Sequence, residues 1–413
     1  MQIDINSFRR PCNCGRTHEI FVKDILIEEN ALKRLPEKVR SIFDGRNTEI
    51  AVICDTNTYQ AAGKTVEKLL PGCELIILPA NDLRADNCGI TLARKGLLSS
   101  GRIKLIIAAG AGTIHDISRY LAMEFRIPFV SVPTAASTDS YASVISILTM
   151  NGSKKNIPGD SPVLIIADTL ILAKAPYRLT ASGITKILRK YTALTDWEIS
   201  HMVTGEYICQ RICEMEMSAL KEVCLYSNDL KGNTRDKNTL RAYEKLIYAL
   251  LLSGIAMQMV GSISSASGGD DAAHLWEKEA VNELFETYHG EKISIGLMVA
   301  VHTCHKLKNT VKNGINKVMP NREIESMGKG RTYEEVVKEN ALDSLPAISG
   351  ILGKLPTESD LRKLLTAAGY KREIRDIKLE ERLVPLTKRL DFDTRNRLIF
   401  LKFTKFFKLK NEA

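Results

Sequence analysis

Four groups of residues in this 413-residue chain have types and spacings that could do chemistry. The first is Gly110-Ala111-Gly112, which interrupts IKLIIAAGAGTIHDISRYLA at 103–122 between a continuous apolar run and an amphipathic one. Two glycines let a backbone approach a ligand closely, and a helix that starts there offers N–H groups and a positive dipole end to an anion. Thr113 is placed to cap that helix. The pyrophosphate of a dinucleotide is the ligand such a turn commonly serves, although the same turn can simply reverse the chain. The second group is PTAASTDSYAS at 133–143, where the hydroxyls of Thr134, Ser137 and Ser143 surround one carboxylate, Asp139. The third is Asp55, at the end of the apolar run 49–54, which could hydrogen-bond ribose hydroxyls or cap the helix that follows. The fourth is Cys12, Cys14 and His18 in PCNCGRTH, three metal-type ligands without an evident fourth.

The elements that must position these groups follow from periodicity. Runs at 19–27, 49–54, 73–79, 103–109, 128–132 and 162–168 read as strands, most of them too continuously apolar to have a solvated face. Helical patterns at 30–43, 58–70, 85–100 and 113–125 separate them. Strands alternating with helices predict a parallel sheet covered on both faces, and such sheets bind ligands at the C-terminal ends of their strands. After about residue 170 the readable pattern is helical: 180–203, 206–227, 236–265, 270–287, 292–308, 333–341, 358–367 and 390–408. The expected organisation is an N-terminal α/β nucleotide-binding domain over 1–170 and an all-α domain over 171–413 that supplies the substrate side.

Composition bounds the class. Hydrophobic residues make up 44% and charged residues 26%, which is ordinary for a globular protein. A net charge of +9, spread rather than blocked, favours small anionic substrates and does not predict nucleic-acid binding. The basic, Phe-containing tail LKFTKFFKLK reads as a solvated helix face. Nine scattered cysteines predict reduced thiols and a cytoplasmic location. The N-terminus has no apolar core of a signal peptide. The uncharged stretch 246–269 carries Ser253, Gly254, Gln258 and Gly261, so it predicts a buried helix rather than a membrane span.

Taken in order, Asp55, GAGTIHD at 110–116, PTAASTDSYAS at 133–143, IIAD at 165–168, TDWEIS at 195–200, ASGGD at 266–270 and HGEKISIG at 289–296 resemble the glycerol-1-phosphate dehydrogenases. These stand within the wider group of iron-containing alcohol dehydrogenases, glycerol dehydrogenases and dehydroquinate synthases. The resemblance covers roughly 19–310. It implies a Rossmann-like parallel-sheet domain followed by a helical one. It also implies that Asp55, Gly110, Gly112, Thr113, Ile114, His115, Asp116, Thr134, Ser137 and Ser143 contact NAD or NADP, and that Asp139 contacts the substrate. Asp55 would repel a 2′-phosphate, which favours NAD.

The metal half of the resembling pattern is altered. Members of that family hold one divalent ion with an Asp before the DW motif, a His after the SGG turn and the His of HG. A gapless count places Lys186 at the Asp, Asp271 at the His and Leu275 at a further substrate-contacting His; His274 is one position out, and only His289 matches. Two positive charges about 4 Å apart repel by several kcal/mol, so Lys186 predicts that no metal sits there. The ammonium could replace the ion by stabilising an alkoxide, neutralised by Asp271 or Asp270. Lys190 matches a lysine of the family and is expected, with Lys186 and Asp271, on the substrate side; Lys186, His289 and Asp139 are the expected catalytic residues.

The function expected from these readings is an NAD(P)-dependent oxidoreductase interconverting a small, phosphorylated or polyhydroxy alcohol and its ketone without a catalytic metal. A dehydroquinate synthase-like lyase that uses NAD transiently and a non-catalytic NAD-binding protein are the alternatives. The expected partner is a small anionic or polyol substrate, with no nucleic acid and no membrane, and a homodimer is left open.

Overall fold

A computed structural model of the chain describes residues 3–151, 153–232, 234, 236–266, 268, 287–312, 318–320, 333–370 and 407–409. The expected helices at 270–287 and 390–408 lie outside the described residues except for Thr287, Phe407 and Lys408, of which the last two stand in a strand rather than a helix; Asp270, Asp271, His274 and Leu275 lie outside them as well.

The apolar runs pair into one six-stranded parallel sheet. Its strands are β1 (Asp24–Glu28), β2 (Ile50–Asp55), β3 (Glu74–Leu78), β4 (Leu105–Gly110), β5 (Phe129–Pro133) and β8 (Leu164–Asp168), in the order β1-β8-β5-β4-β2-β3. Between β5 and β8 the chain makes an antiparallel hairpin, β6 (Ile145–Met150) with β7 (Ser153–Pro158). Every residue of β4 and β5 is buried, which explains runs with no polar alternation. One face of the sheet, with Val52, Ile107, Val130 and Ile166, packs against Leu35, Val39 and Val66. The other face, with Ile53, Ile106, Ala108 and Phe129, packs against Ile90, Leu97, Ile117 and Leu121. Each of these Val, Leu, Ile and Phe side chains contributes about 1.5–3 kcal/mol.

Several expected boundaries move. The strand expected over 19–27 is confined to Asp24–Glu28, because the Phe21 N–H is taken by the side chain of Gln258 at 2.9 Å rather than by a ladder. The pattern at 58–70 is a π-helical segment, Tyr59–Gly63, running into the helix Lys64–Leu69. The stretch 180–203 is two helices, Tyr177–Leu188 and Lys190–Thr204.

The chain forms two compact units: Met1–Ile187 with Ser218–Ser262, and Leu188–Met217 with Ile263–Ala413. The uncharged stretch is the buried helix Lys237–Val260, which belongs to the first unit. Among the described residues, no helix is long and apolar enough to cross a membrane. The second unit gathers Ile199, Val203, Cys304, Leu307, Val337, Ala341 and Ile348 into one core from the helices Lys190–Thr204, His289–Lys312, Tyr333–Asp343 and Leu345–Leu352. A short pair, β9 (Val318–Pro320) with β10 (Phe407–Leu409), joins it.

Candidate active site

The sheet order fixes where a ligand can enter. β2 leads to β3 on one side and β4 lies on its other side, so the crevice between β2 and β4 is the point where the winding reverses. Ile53 pairs with Ala108, which places Asp55 and Gly110 together, two residues further along adjacent strands. Gly110 ends β4, and helix Gly112–Phe125 starts at once. Its N-cap is Ala111, in extended conformation and without a side-chain cap, so Thr113 does not cap the helix as expected but lies inside its first turn. A Cβ on Gly110 would collide with Ile114, and one on Gly112 would sit 3.3 Å from the Thr138 methyl. The backbone is therefore bare where it faces the strand ends.

Asp55 caps the helical turn after β2: its Oδ1 accepts from Asn57 N and Thr58 N, both at 2.8 Å. Its Oδ2 takes no hydrogen bond among the described residues and stays available to a diol. The two roles foreseen for this carboxylate are thus compatible.

The second cluster forms beside this edge, on the segment after β5. Thr134 N donates to Gly110 O at 3.0 Å, which continues the β4–β5 pairing into the segment. Asp139 makes no side-chain cap for the turn Ser140–Ala142, so its carboxylate serves something else. Ser253 Oγ donates to its Oδ2 at 3.1 Å, and Lys186 Nζ lies 3.8 Å from its Oδ1. Both partners of that ion pair are about nine-tenths buried or more. Two glycines create the arrangement. A Cβ on Gly183 would collide with Ala136 O, so helix Tyr177–Leu188 lies directly on the segment and delivers Lys186 one turn later. A Cβ on Gly254 would come within 2.8 Å of Asp139 O and Ala142 Cβ, so helix Lys237–Val260 crosses close enough for Ser253 to reach Asp139. Among the described residues Lys186 pairs with Asp139; the expected neutralising residues Asp270 and Asp271 lie outside the described residues.

The remaining expected residues divide by what they touch. Asp116 faces inward and pairs with Arg119 at 2.9 Å. Burial pushes its carboxyl up to about 6, against the opposing pull of Arg119 and, more weakly, of Lys186. His115 is fully buried; its Nδ1 lies 3.0 Å from Ala111 O and its Nε2 2.7 Å from Ser131 Oγ. Because a carbonyl only accepts, Nδ1 donates to Ala111 O and Nε2 accepts from Ser131. Burial lowers the imidazole to about 3, so it is neutral and braces the turn from behind. Ile114 is likewise core. Ser137 Oγ lies 3.0 Å from Tyr141 Oη, while Ser143 Oγ accepts from Ile145 N at 2.9 Å. In the second unit Lys190 is 1% exposed and donates to Glu216 Oε1 at 2.6 Å and to Ser265 O at 2.9 Å. His289 is the half-buried first residue of its helix in that unit.

Three residues that hold the site escaped sequence reasoning. Arg119, wholly buried, donates to Ser143 O at 2.9 Å and also to Ile145 O and Ser140 O, fastening 140–145 to the helix Gly112–Phe125. Gln258 donates to Ala142 O and to Ser161 Oγ. Ser253 was visible only as a polar residue in an apolar stretch. For Arg119 the available signal was its i,i+3 spacing from Asp116.

Comparison with known proteins identifies the family and the fold. A family model described as iron-containing alcohol dehydrogenase matches residues 26–176. A glycerol-1-phosphate dehydrogenase [NAD(P)+] of Bacillus licheniformis is 35% identical over 292 residues, 68% of this chain and 70% of that one. The chain belongs to the glycerol-1-phosphate dehydrogenase family. A relative of the same name from Geobacillus stearothermophilus is 27% identical over 376 residues, spanning 89% of this chain and 88% of its own. Among solved structures, a glycerol dehydrogenase of Schizosaccharomyces pombe has a TM-score of 0.56 at 18% identity, covering 86% of this chain and 91% of the other. A maleylacetate reductase of Rhizobium sp. has a TM-score of 0.61 at 12% identity, covering 89% and 88%. At these identities the structures establish the fold alone: a Rossmann-like parallel-sheet region followed by helices.

The two groups this family implies fare differently. A dinucleotide fits, because the glycine turn is bare, the adjacent helix end has no side-chain cap, and Asp55 keeps an oxygen at the switch point. At the position that a gapless count gives to the family's metal-binding Asp, Lys186 offers no lone pair while protonated, and it stands 3.8 Å from Asp139 Oδ1.

Proposed function

We propose that the protein is an NAD(P)-dependent oxidoreductase acting on the secondary alcohol of a small polyol phosphate, as the names of its relatives suggest, and that Lys186 replaces the catalytic metal. The observation that carries the reading is the buried trio Lys186, Asp139 and Ser253, held on the segment that leaves β5 beside the glycine turn. The dinucleotide supplies the hydride acceptor or donor. On the chain's side, the first turn of helix Gly112–Phe125 receives the pyrophosphate and Asp55 Oδ2 receives the ribose hydroxyls. Lys186 Nζ directs a proton at the substrate oxygen, stabilises the negative charge that grows there during carbonyl reduction, and passes the proton on. Asp139 keeps the ammonium charged and oriented, and Ser253 fixes the carboxylate that does so.

The test is turnover: NADH and NADPH oxidation with dihydroxyacetone phosphate, and the reverse with glycerol 1-phosphate, alongside unphosphorylated polyols. Net NADH consumption that persists after treatment with a strong chelator is expected. Turnover that stops on chelation and returns with added zinc or nickel would overturn the metal-free reading. No net redox change with any polyol phosphate would overturn the dehydrogenase reading itself.

A further inference from the structure

The sequence cluster Cys12, Cys14 and His18 lies outside everything described above, and the fold gives it a shape. Gly15 N donates to Cys12 O at 3.3 Å, closing a tight turn, and Gly15 takes φ +78°, a conformation glycine adopts without strain. The chain then doubles back so that Cys14 Sγ lies 3.5 Å from His18 Nε2. The ligand atoms of Cys12, Cys14 and His18 all fall within 4.8 Å of one another. None of the nine cysteines is in a disulfide.

The histidine is prepared for one kind of neighbour. Its Nδ1 lies 2.9 Å from Met259 O, and a carbonyl only accepts, so Nδ1 carries the proton. Nε2 is then left with its lone pair turned toward Cys14. A ring nitrogen bonded to a backbone carbonyl while the other faces the ligand site is the usual outer support of a metal-bound imidazole. The distance agrees as well: Zn–S near 2.3 Å and Zn–N near 2.05 Å at a tetrahedral angle put sulfur and nitrogen about 3.6 Å apart. His18 is buried at 3% exposure while both cysteines are half-buried, so an ion has a route in and a dry wall behind it.

We propose that Cys12, Cys14 and His18 bind a zinc ion with a structural role, separate from the catalytic cluster. Two thiolates and an imidazole select a soft or borderline divalent ion over magnesium or calcium. Through His18 and Met259 the ion fastens the N-terminal segment to helix Lys237–Val260, a link across 241 positions of sequence. The expectation that the protein carries no metal therefore applies to the Lys186 position and not to the chain as a whole.

The experiment is elemental analysis of the full chain purified without chelator from zinc-supplemented cells. One zinc per chain is expected in the wild type and in Lys186→Met and His289→Ala, with loss from Cys12→Ser and Cys14→Ser. Cobalt exchanged into the wild type should show thiolate charge-transfer absorption that is absent from Cys14→Ser. If a variant fails to fold, the wild type still decides: chelation should make Cys12 and Cys14 reactive to a thiol reagent. Absence of zinc from the wild type, zinc retained in the Cys12→Ser/Cys14→Ser double variant, or zinc lost only from His289→Ala would each overturn the site.

Discussion

Lys186→Met is the perturbation that bears hardest on the proposed chemistry, because it removes a charge while keeping an unbranched stem of similar length. At 3.8 Å, the attraction between Lys186 and Asp139 is about 4 kcal/mol at an effective dielectric of 20. Truncating one partner of a buried pair costs about 3–5 kcal/mol, since the other charge is left stranded. The single variant should therefore unfold at lower urea by about 3 kcal/mol, with Ser253 offsetting part of the loss at Asp139. Pairing it with Asp139→Asn makes both groups neutral, and most of that stability should return. Turnover should behave differently. Loss of the group that stabilises the developing alkoxide should lower kcat by about 100- to 1,000-fold with little change in KM, and the double variant should not recover it. Urea titration followed by far-ultraviolet circular dichroism, together with NADH oxidation kinetics on the wild type and three variants, makes the comparison. If Lys186→Met turned over within about twofold of the wild type, the ammonium would have no part in the chemistry. If the single variant were as stable as the double, the buried pair would not be the source of the stability assigned to it.

Two further outcomes follow from the same geometry. Gly112→Val places methyl groups beside Thr138 at the bare helix end, where even a Cβ would stand 3.3 Å from the Thr138 methyl, and should weaken NADH binding at least about tenfold by fluorescence titration; unchanged affinity would remove the 110–116 turn from the cofactor site. His115, held near 3 by burial against an ordinary 6.5, contributes stability that is present above pH 6.5 and is lost as pH falls toward 3. Asp116, raised to about 6 from 3.8, works in the opposite sense, favouring the fold below 3.8 and ceasing to do so as pH rises through 6. His115→Gln should therefore lack about 2 kcal/mol of the acid-linked loss that the wild type shows between neutral pH and about pH 5. Urea midpoints at the two pH values measure it, and parallel pH dependence of the two proteins would mean the imidazole is not buried neutral.

The sheet was legible because strands covered on both faces must be apolar throughout, and Ile50–Cys54, Leu105–Ala109 and Phe129–Val132 announce this directly. The hairpin β6–β7 was not read, although Asn151, at φ 53°, stands at its turn before Gly152, the usual sequence mark of a hairpin. In β6 the residue buried between Ile145 and Ile147 is Ser146, so the apolar residues do not mark the covered face. Asp55, the glycine turn and Asp139 could be found from the sequence because each follows a strand end, and strand ends are where such a sheet presents its ligands. The pairing of Lys186 with Asp139 could not be found that way. It depends on two helix crossings at Gly183 and Gly254, and nothing in a linear pattern says which helix a glycine will touch. For the same reason Arg119 and Gln258 read as ordinary polar residues: their acceptors are carbonyls 21 to 116 positions away, and any residue carries a carbonyl.

The interleaving of the first compact unit has a consequence for how the protein is made. Gln258 and Met259 lie more than two hundred residues beyond Phe21 and His18 and 116 beyond Ala142, yet Gln258 takes the Phe21 N–H and the Ala142 carbonyl, and Met259 takes His18. During synthesis the sheet can assemble once β8 has left the ribosome, but its polar interior stays open until about residue 262 emerges. At roughly 5–20 residues per second, the nascent chain waits several seconds in that state. A rare-codon pause between 188 and 237, or a premature stop there, would therefore leave a nearly finished sheet with Asp139 and Ala142 lacking the helix that packs on them.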